Sequence, residues 1–128
     1  YISFNELDGS CIGEKALAEP LILGGIGLVT TYVPEDLDPT SSSCVPKAGT
    51  GIIYYVNVTD GTPTFNIAGT VDKTREDRKE YLKRGGIPPS PSVIITEGGT
   101  PTLCIGTECG SANMSLELEK MYWYEIEQ

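Results

Sequence analysis

Apolar and polar positions alternate most cleanly near the end of the chain. From Met114 to Glu127 the even positions read Met, Leu, Leu, Lys, Tyr, Tyr, Ile, and the odd positions read Ser, Glu, Glu, Met, Trp, Glu, Glu. Six of seven even positions are apolar against two of seven odd ones, the period of a strand with one buried face. Lys120 interrupts the apolar row. It marks a bulge or a break between two shorter strands, since one unbroken strand would run roughly 45 Å. Upstream, Ser92 to Thr96 and Pro101 to Ile105 read as two further strands, separated by a Glu97-Gly98-Gly99 turn.

A second alternating region covers Gly51 to Val71. Ile52, Tyr54, Val56 and Val58 fall on one face, and Ile53, Tyr55, Asn57 and Thr59 on the other. Apolar or aromatic groups on both faces predict a strand that is central in its sheet. Asp60-Gly61-Thr62-Pro63 supplies a reversal, and Phe65, Ile67, Gly69 and Val71 line one face of an expected return strand. Leu21 to Val33 reads as buried strand in which Gly24, Gly25 and Gly27 impose a bulge, a bend or a tight turn. Tyr1 to Leu7 is a short strand candidate ended by the turn Asp8-Gly9-Ser10.

Two stretches leave this period. Glu14 to Glu19 holds helix formers before Pro20, enough for one or two turns. Asp72 to Arg84 is predicted as a charged helix, capped by Thr74 with Asp77 in the capping-box position and ended by Gly85. Only Tyr81 and Leu82 offer it an apolar contact, so it is expected as an exposed excursion between strands. Gly85 to Pro91 is a stiff connector, because Pro88, Pro89 and Pro91 disfavour helix and central strand alike. The pattern predicts one domain over residues 1–128, all-β, an antiparallel β-sandwich or compact barrel-like fold with one inserted charged helix. A β-dominated α+β fold is the alternative.

Composition sharpens this. The 128 residues are 39% hydrophobic and 21% charged, a globular balance. The 15 glycines and 9 prolines suit a turn-rich β-protein. The net charge of −9 opposes nucleic acid and anionic membrane surfaces as partners. The charge is unevenly placed: residues 72–84 hold six cations and four anions, whereas the rest of the chain holds three cations and fourteen anions. The longest nearly apolar run, Leu21 to Val33, falls short of the roughly 20 residues a membrane-spanning helix needs.

Candidate chemistry is sparse. The chain has no histidine, which excludes a Ser-His-Asp triad, a Cys-His dyad and imidazole-bound zinc. The glycine run after Leu23 lacks a dinucleotide fingerprint, since Thr30 stands where glycine or alanine is needed, and no P-loop lysine follows. In the Pro34 to Pro46 loop, Glu35, Asp36 and Asp38 form only a fragment of a calcium loop. A hydrolase on this chain would need two carboxylates, with candidates among Glu6, Asp8, Glu35, Asp36, Asp38, Glu117, Glu119, Glu125 and Glu127. Nothing singles out a pair of them. No cofactor or metal site is expected.

Four cysteines without a C-x-x-C pair point to disulfides and an oxidising, extracellular or cell-surface location. Cys104 and Cys109 are near enough to close a small loop, which leaves Cys11 and Cys44; the other connectivities stay open. A redox role for Cys104 and Cys109 is disfavoured by Glu108 and the lack of a neighbouring cation. Asn57-Val58-Thr59 and Asn113-Met114-Ser115 are glycosylation tripeptides. Trp123 lies on the polar face of the last strand, where it would pack under a loop, stack on a sugar or anchor an interface. These features lead to the expectation of a secreted, non-catalytic structural or assembly subunit, such as a filament, pilus or coat component. It would associate with itself or another protein through Arg75, Arg78 and Lys79 on one side and Glu117, Glu119, Trp123, Glu125 and Glu127 on the other. A small secreted binding module, lectin-like or inhibitory, with a glycan as candidate ligand, is the alternative. A carboxylate-dependent glycan hydrolase comes after it.

Overall fold

The computed structural model describes residues 13–35, 47–95 and 101–111. Among them are seven strands in two antiparallel sheets, and the fold is all-β, as the alternation predicts. The first sheet has the order β1 (Leu21–Leu23), β2 (Ile26–Val33), β3 (Thr50–Asn57), β4 (Lys79–Gly85). The second has the order β5 (Ser92–Ile95), β6 (Pro101–Ile105), β7 (Glu108–Ser111). The expected strands Tyr1–Leu7 and Met114–Glu127, the turns Asp8–Ser10 and Glu97–Gly99, and most of the Pro34–Pro46 loop lie outside the described residues.

The glycine run in Leu21–Val33 is a tight hairpin. Gly24 and Gly25 have φ of 56° and 78°. That left-handed region costs a residue with a side chain roughly 1–2 kcal/mol. Their reversal sets Leu23 opposite Ile26 and brings β2 back along β1. β2 then pairs with β3 over its whole length, Ile26 with Asn57 through Val33 with Thr50. From Gly51 to Val56 every residue of β3 is buried, so this strand is central, as its two apolar faces require.

The second neighbour of β3 differs from expectation. Phe65 to Val71 forms no strand, and from that side only Pro63 pairs with β3, through an isolated bridge to Val56. Pro63 has no N–H to extend a ladder, and Gly69 sits at φ 68°, outside strand geometry. The turn itself forms: the Asn57 N–H donates to the Thr62 carbonyl, the Gly61 N–H donates to the Asn57 carbonyl, and Asp60 Oδ1 accepts from the N–H and hydroxyl of Thr62.

The edge beside β3 is taken instead by Lys79–Gly85. The predicted helix Asp72–Arg84 is therefore corrected to one 3-10 turn, Arg75–Arg78, followed by β4. The acidic arm of the cap exists, since Asp77 Oδ2 accepts from the Thr74 N–H (2.6 Å) and hydroxyl (2.9 Å). The helix does not propagate because Tyr81 and Leu82 provide no apolar stripe to bury, while β3 presents an unpaired edge. Tyr81 pairs with Ile52, Glu80 with Ile53 and Lys79 with Tyr54. Glu14–Glu19 also forms no helix: Lys15 bridges Tyr32 through two 2.9 Å backbone bonds and so lengthens the β2 edge.

Both sheets share one core. Leu28, Ile53 and Tyr55 from the first sheet pack with Leu103 and Ile105 from the second, with Phe65, Leu82 and Val93 partly buried around them. The Phe65 ring meets Tyr55 edge-on at 5.4 Å. The opposite face of the first sheet holds a polar knot. There Glu14 Oε1 accepts from the hydroxyls of Thr31 (2.5 Å) and Tyr54 (2.8 Å). Burial, reinforced by the Glu14 carboxylate, holds the Tyr54 phenol well above its ordinary pKa. The proline connector closes over the first sheet, where the Pro89 carbonyl accepts from the Thr30 hydroxyl at 3.1 Å.

Candidate functional site

The Cys104–Cys109 disulfide is formed. Its loop is tighter than the sequence pattern implies, because Glu108–Ser111 is itself a strand. Cys104 and Cys109 are register partners across β6 and β7, and the reversal is Gly106-Thr107, with Gly106 at φ 59°. The pairing staples a two-residue hairpin that local alternation does not reveal. Cys11 and Cys44 lie outside the described residues.

The basic candidates are brought together. Arg75 and Arg78 sit in the 3-10 turn, and Lys79 opens β4, which continues through Lys83 and Arg84 at the sheet edge. Lys79 is engaged locally: Nζ lies 3.3 Å from Glu76 Oε2 and 5.8 Å from the centre of the Tyr81 ring. Lys73 Nζ donates to the Thr64 carbonyl. Among the described residues Arg75, Arg78, Lys83 and Arg84 form no ion pair, and Arg78 Nε is buried without a hydrogen-bond partner. Arg75, Lys83 and Arg84 are exposed. The acidic counterparts Glu117, Glu119, Glu125 and Glu127, together with Trp123, lie outside the described residues. Of the other acids weighed for catalysis, Glu6, Asp8, Asp36 and Asp38 also lie outside, and Glu35 makes an exposed ion pair with Lys47 at 2.8 Å.

Asp77 anchors the start of the basic segment. It is wholly buried, and Oδ1 accepts the Ala68 N–H at 2.7 Å while Oδ2 serves Thr74. These donors, the Ala68 N–H first, hold its carboxyl below the usual range. The carboxylate thus ties the irregular 66–74 stretch to the turn that launches β4.

A cavity of about 460 Å³ lies beside this edge, between β4 and β7. Ile53, Tyr55, Leu103 and Ile105 contribute to its lining from the shared core, and Leu82 and Phe65 add to it. Two carboxylates, Glu80 and Glu108, also face it. Glu80 Oε2 accepts from the Tyr55 hydroxyl at 3.3 Å. Burial first, then Glu80, raises the pKa of that phenol. Glu108 accepts from the backbone N–H groups of Lys83 (3.1 Å) and Arg84 (2.7 Å), a bridge between the two sheets. Both acids are therefore occupied by donors of the chain itself. Neither stands out in the sequence, since Glu108 reads only as an acid beside a cysteine and Glu80 only as part of a charged run.

Asn57, the first glycosylation candidate, ends β3. Its Oδ1 accepts from the N–H (2.9 Å) and hydroxyl (2.6 Å) of Thr59, and Val58 and Thr59 are exposed. Asn113 lies outside the described residues. Among the described residues no group of histidine, cysteine and acidic side chains is arranged to hold a metal ion, and no helix is long and apolar enough to cross a membrane. Comparison with protein-family models, with curated proteins and with solved structures yields no significant match.

Proposed function

We propose that this chain is a secreted, non-catalytic assembly subunit, of the kind that builds a surface filament, pilus or coat. The observation that carries this is the basic edge. A chain of net charge −9 concentrates six of its nine cations in residues 73–84, and that stretch forms a turn and an exposed edge strand. Five of those six cations, all but Lys79, lack an ion pair among the described residues. An edge strand also carries backbone groups without sheet partners, which natural proteins normally protect. A cationic edge on an acidic molecule is complementary to the remainder of another copy. A heterologous contact of that kind propagates if its rotation does not close. The Cys104–Cys109 disulfide is compatible with the oxidising surroundings such a subunit would meet.

Glu117, Glu119, Trp123, Glu125 and Glu127 are the acidic face proposed to receive the basic edge of a neighbour. Sedimentation velocity and electron microscopy over rising protein concentration test the idea. The expected result is concentration-dependent assembly that weakens in about 1 M salt, where the screening length shrinks to about 3 Å. The triple variant R75E/R78E/K79E should shift the population towards monomer while leaving the fold intact. A native chain that stays strictly monomeric at high concentration removes this reading.

A further inference from the structure

β3 ends in a reversal that lies beside the Gly24-Gly25 hairpin. Asn57, its last residue, pairs with Ile26, and the Val58 N–H donates to the Gly25 carbonyl at 3.0 Å. Both reversals therefore share one end of the first sheet. The residues from Gly51 to Val56 are buried, Asn57 is half-buried, and Val58, Thr59 and Asp60 are exposed. A Cβ added at Gly25 or at Gly61 would meet no atom within 4 Å among the described residues, so open space lies beside each turn.

Asn57-Val58-Thr59 is an asparagine two residues before a threonine, with a residue other than proline between them. Secretory pathways read that triplet as a glycan acceptor, and its confirming context is a surface loop. The geometry supplies that context. Asn57 Oδ1 accepts from both the N–H (2.9 Å) and the hydroxyl (2.6 Å) of Thr59. The carboxamide nitrogen, Nδ2, donates to no acceptor among the described residues. Replacing one of its hydrogens with a sugar therefore breaks no hydrogen bond of the turn. The backbone bonds that shape the reversal, from the Asn57 N–H to the Thr62 carbonyl and from the Gly61 N–H to the Asn57 carbonyl, do not involve the side chain.

The structure assigns Asn57 as the attachment site of an N-linked oligosaccharide. It requires the secreted location proposed for this chain and does not depend on assembly. The donor is an oligosaccharide carried on a polyprenyl pyrophosphate, and the catalyst is the oligosaccharide transferase of the secretory membrane. A bond forms between Nδ2 and the anomeric carbon of the first sugar. The bond from that carbon to the pyrophosphate oxygen breaks, the polyprenyl pyrophosphate leaves with the electron pair, and Nδ2 gives up one proton. Nothing is oxidised or reduced. The product sets a bulky, hydrated group beside exposed Val58 at the end of the sheet. Thr50, at the opposite end of β3, is the residue paired with Gly85, so the glycan lies away from Lys83 and Arg84.

The full chain, directed into the secretory pathway of eukaryotic cells by an added leader, tests this. Peptide mapping by mass spectrometry should find a glycan on the peptide that holds Asn57. After treatment with an amidase that removes N-glycans, an aspartate should stand in its place. The glycan should be lost from N57Q and T59A, kept in T59S, and unchanged on Asn57 in N113Q. A bare Asn57 in the secreted native chain overturns the proposal. Because the leader delivers the chain whatever its natural location, that result counts against the site alone. Reduced Cys104 and Cys109 in the chain from its own source would count against the secreted location instead. The folded protein gives a second readout. The glycosylated chain should unfold at the same denaturant midpoint as the deglycosylated one, or at a higher one. A lower midpoint means that the turn has no room for the group, and the proposal fails.

Discussion

β3 and β4 are neighbours in one sheet, yet they have almost nothing in common as sequences. β3 is TGIIYYVN, uncharged, with six consecutive buried residues. β4 is KEYLKRG, four of its seven residues charged, with none buried. β3 is a strand because its side chains demand it: both faces are apolar and both must be covered. β4 is a strand because β3 demands it, since a buried strand cannot leave N–H and C=O groups unpaired along one edge. Backbone pairing is blind to side-chain type, so a charged segment with a modest helical tendency serves, provided its side chains still reach water. One strand is specified by its own residues, and the other is recruited.

That contrast can be broken from its strong side first. Ile53 is 1% exposed at the junction of the two sheets. Ile53→Ala should therefore cost about 2–5 kcal/mol of unfolding free energy, measured by denaturant titration. A loss below about 1 kcal/mol, outside the range for a buried isoleucine, would mean that β3 is not the organising strand.

The second sheet relies on a covalent staple where the first relies on burial. Cys104 and Cys109 close a six-residue loop. Replacing both with serine should cost about 2 kcal/mol in the chain-entropy account, again read from the denaturation midpoint. An unchanged midpoint would show that the β6–β7 hairpin holds without it.

A smaller effect probes the recruitment of β4. Glu108→Ala removes the acceptor for the Lys83 and Arg84 N–H groups, in an exposed setting where water compensates in part. The loss should be about 1 kcal/mol. Hydrogen exchange should quicken at those two amides more than along β3. Equal acceleration in both strands would contradict the view that β4 is the less firmly held partner.

The last effect is confined to acid. The Asp77 carboxyl lies below its usual range in the folded chain. Its stabilising contribution is therefore complete above the unfolded value of about 4 and is lost as pH falls through the folded value. Amides of Ala68 and Thr74 should lose protection in this acid window before the core of β3 does. In Asp77→Asn the Thr74 N–H loses its charged acceptor, and protection there should be low at neutral pH already. Protection at Thr74 that is unchanged by either treatment would show that Asp77 does not anchor the turn before β4.

Strands with a buried face were legible because burial writes a period into their residues. The bounds expected for Ser92–Thr96 and Pro101–Ile105 differ by a residue or less from β5 and β6, and the alternation from Ile52 to Thr59 overlaps β3 to within two residues at each end. The Gly24-Gly25 reversal was legible because its backbone conformation favours glycine. The capping role of Asp77 was legible too, although the helix it was expected to start stops after one turn. β4 and β7 were not legible. Charged residues carry no period that separates an edge strand from an exposed helix, and Glu108–Ser111 is too short to show one. The expected return strand Phe65–Val71 failed for the complementary reason: its alternation is genuine, but Pro63 and Gly69 deny it a ladder, and Phe65 turns inward against Tyr55 instead. Of the candidate site, the clustering of Arg75, Arg78 and Lys79 could be read in advance because they are close in sequence. The cavity could not, because its walls come from β3, β4, β6, β7 and the stretch around Phe65.

By itself the sequence determined the class of the fold, the central position of β3, a reversal or irregularity at the Gly24-Gly25 run, the separation of charge and the closeness of Cys104 to Cys109. Each of these rests on neighbours along the chain: a period, a dihedral, a count or a short loop. Only the tertiary structure decided which segment pairs with β3, that Glu108 bridges the sheets and that a cavity lies between β4 and β7. Those outcomes depend on which backbone edge remains unsatisfied once the most hydrophobic strands have been buried, a property of the assembled chain that no local window contains.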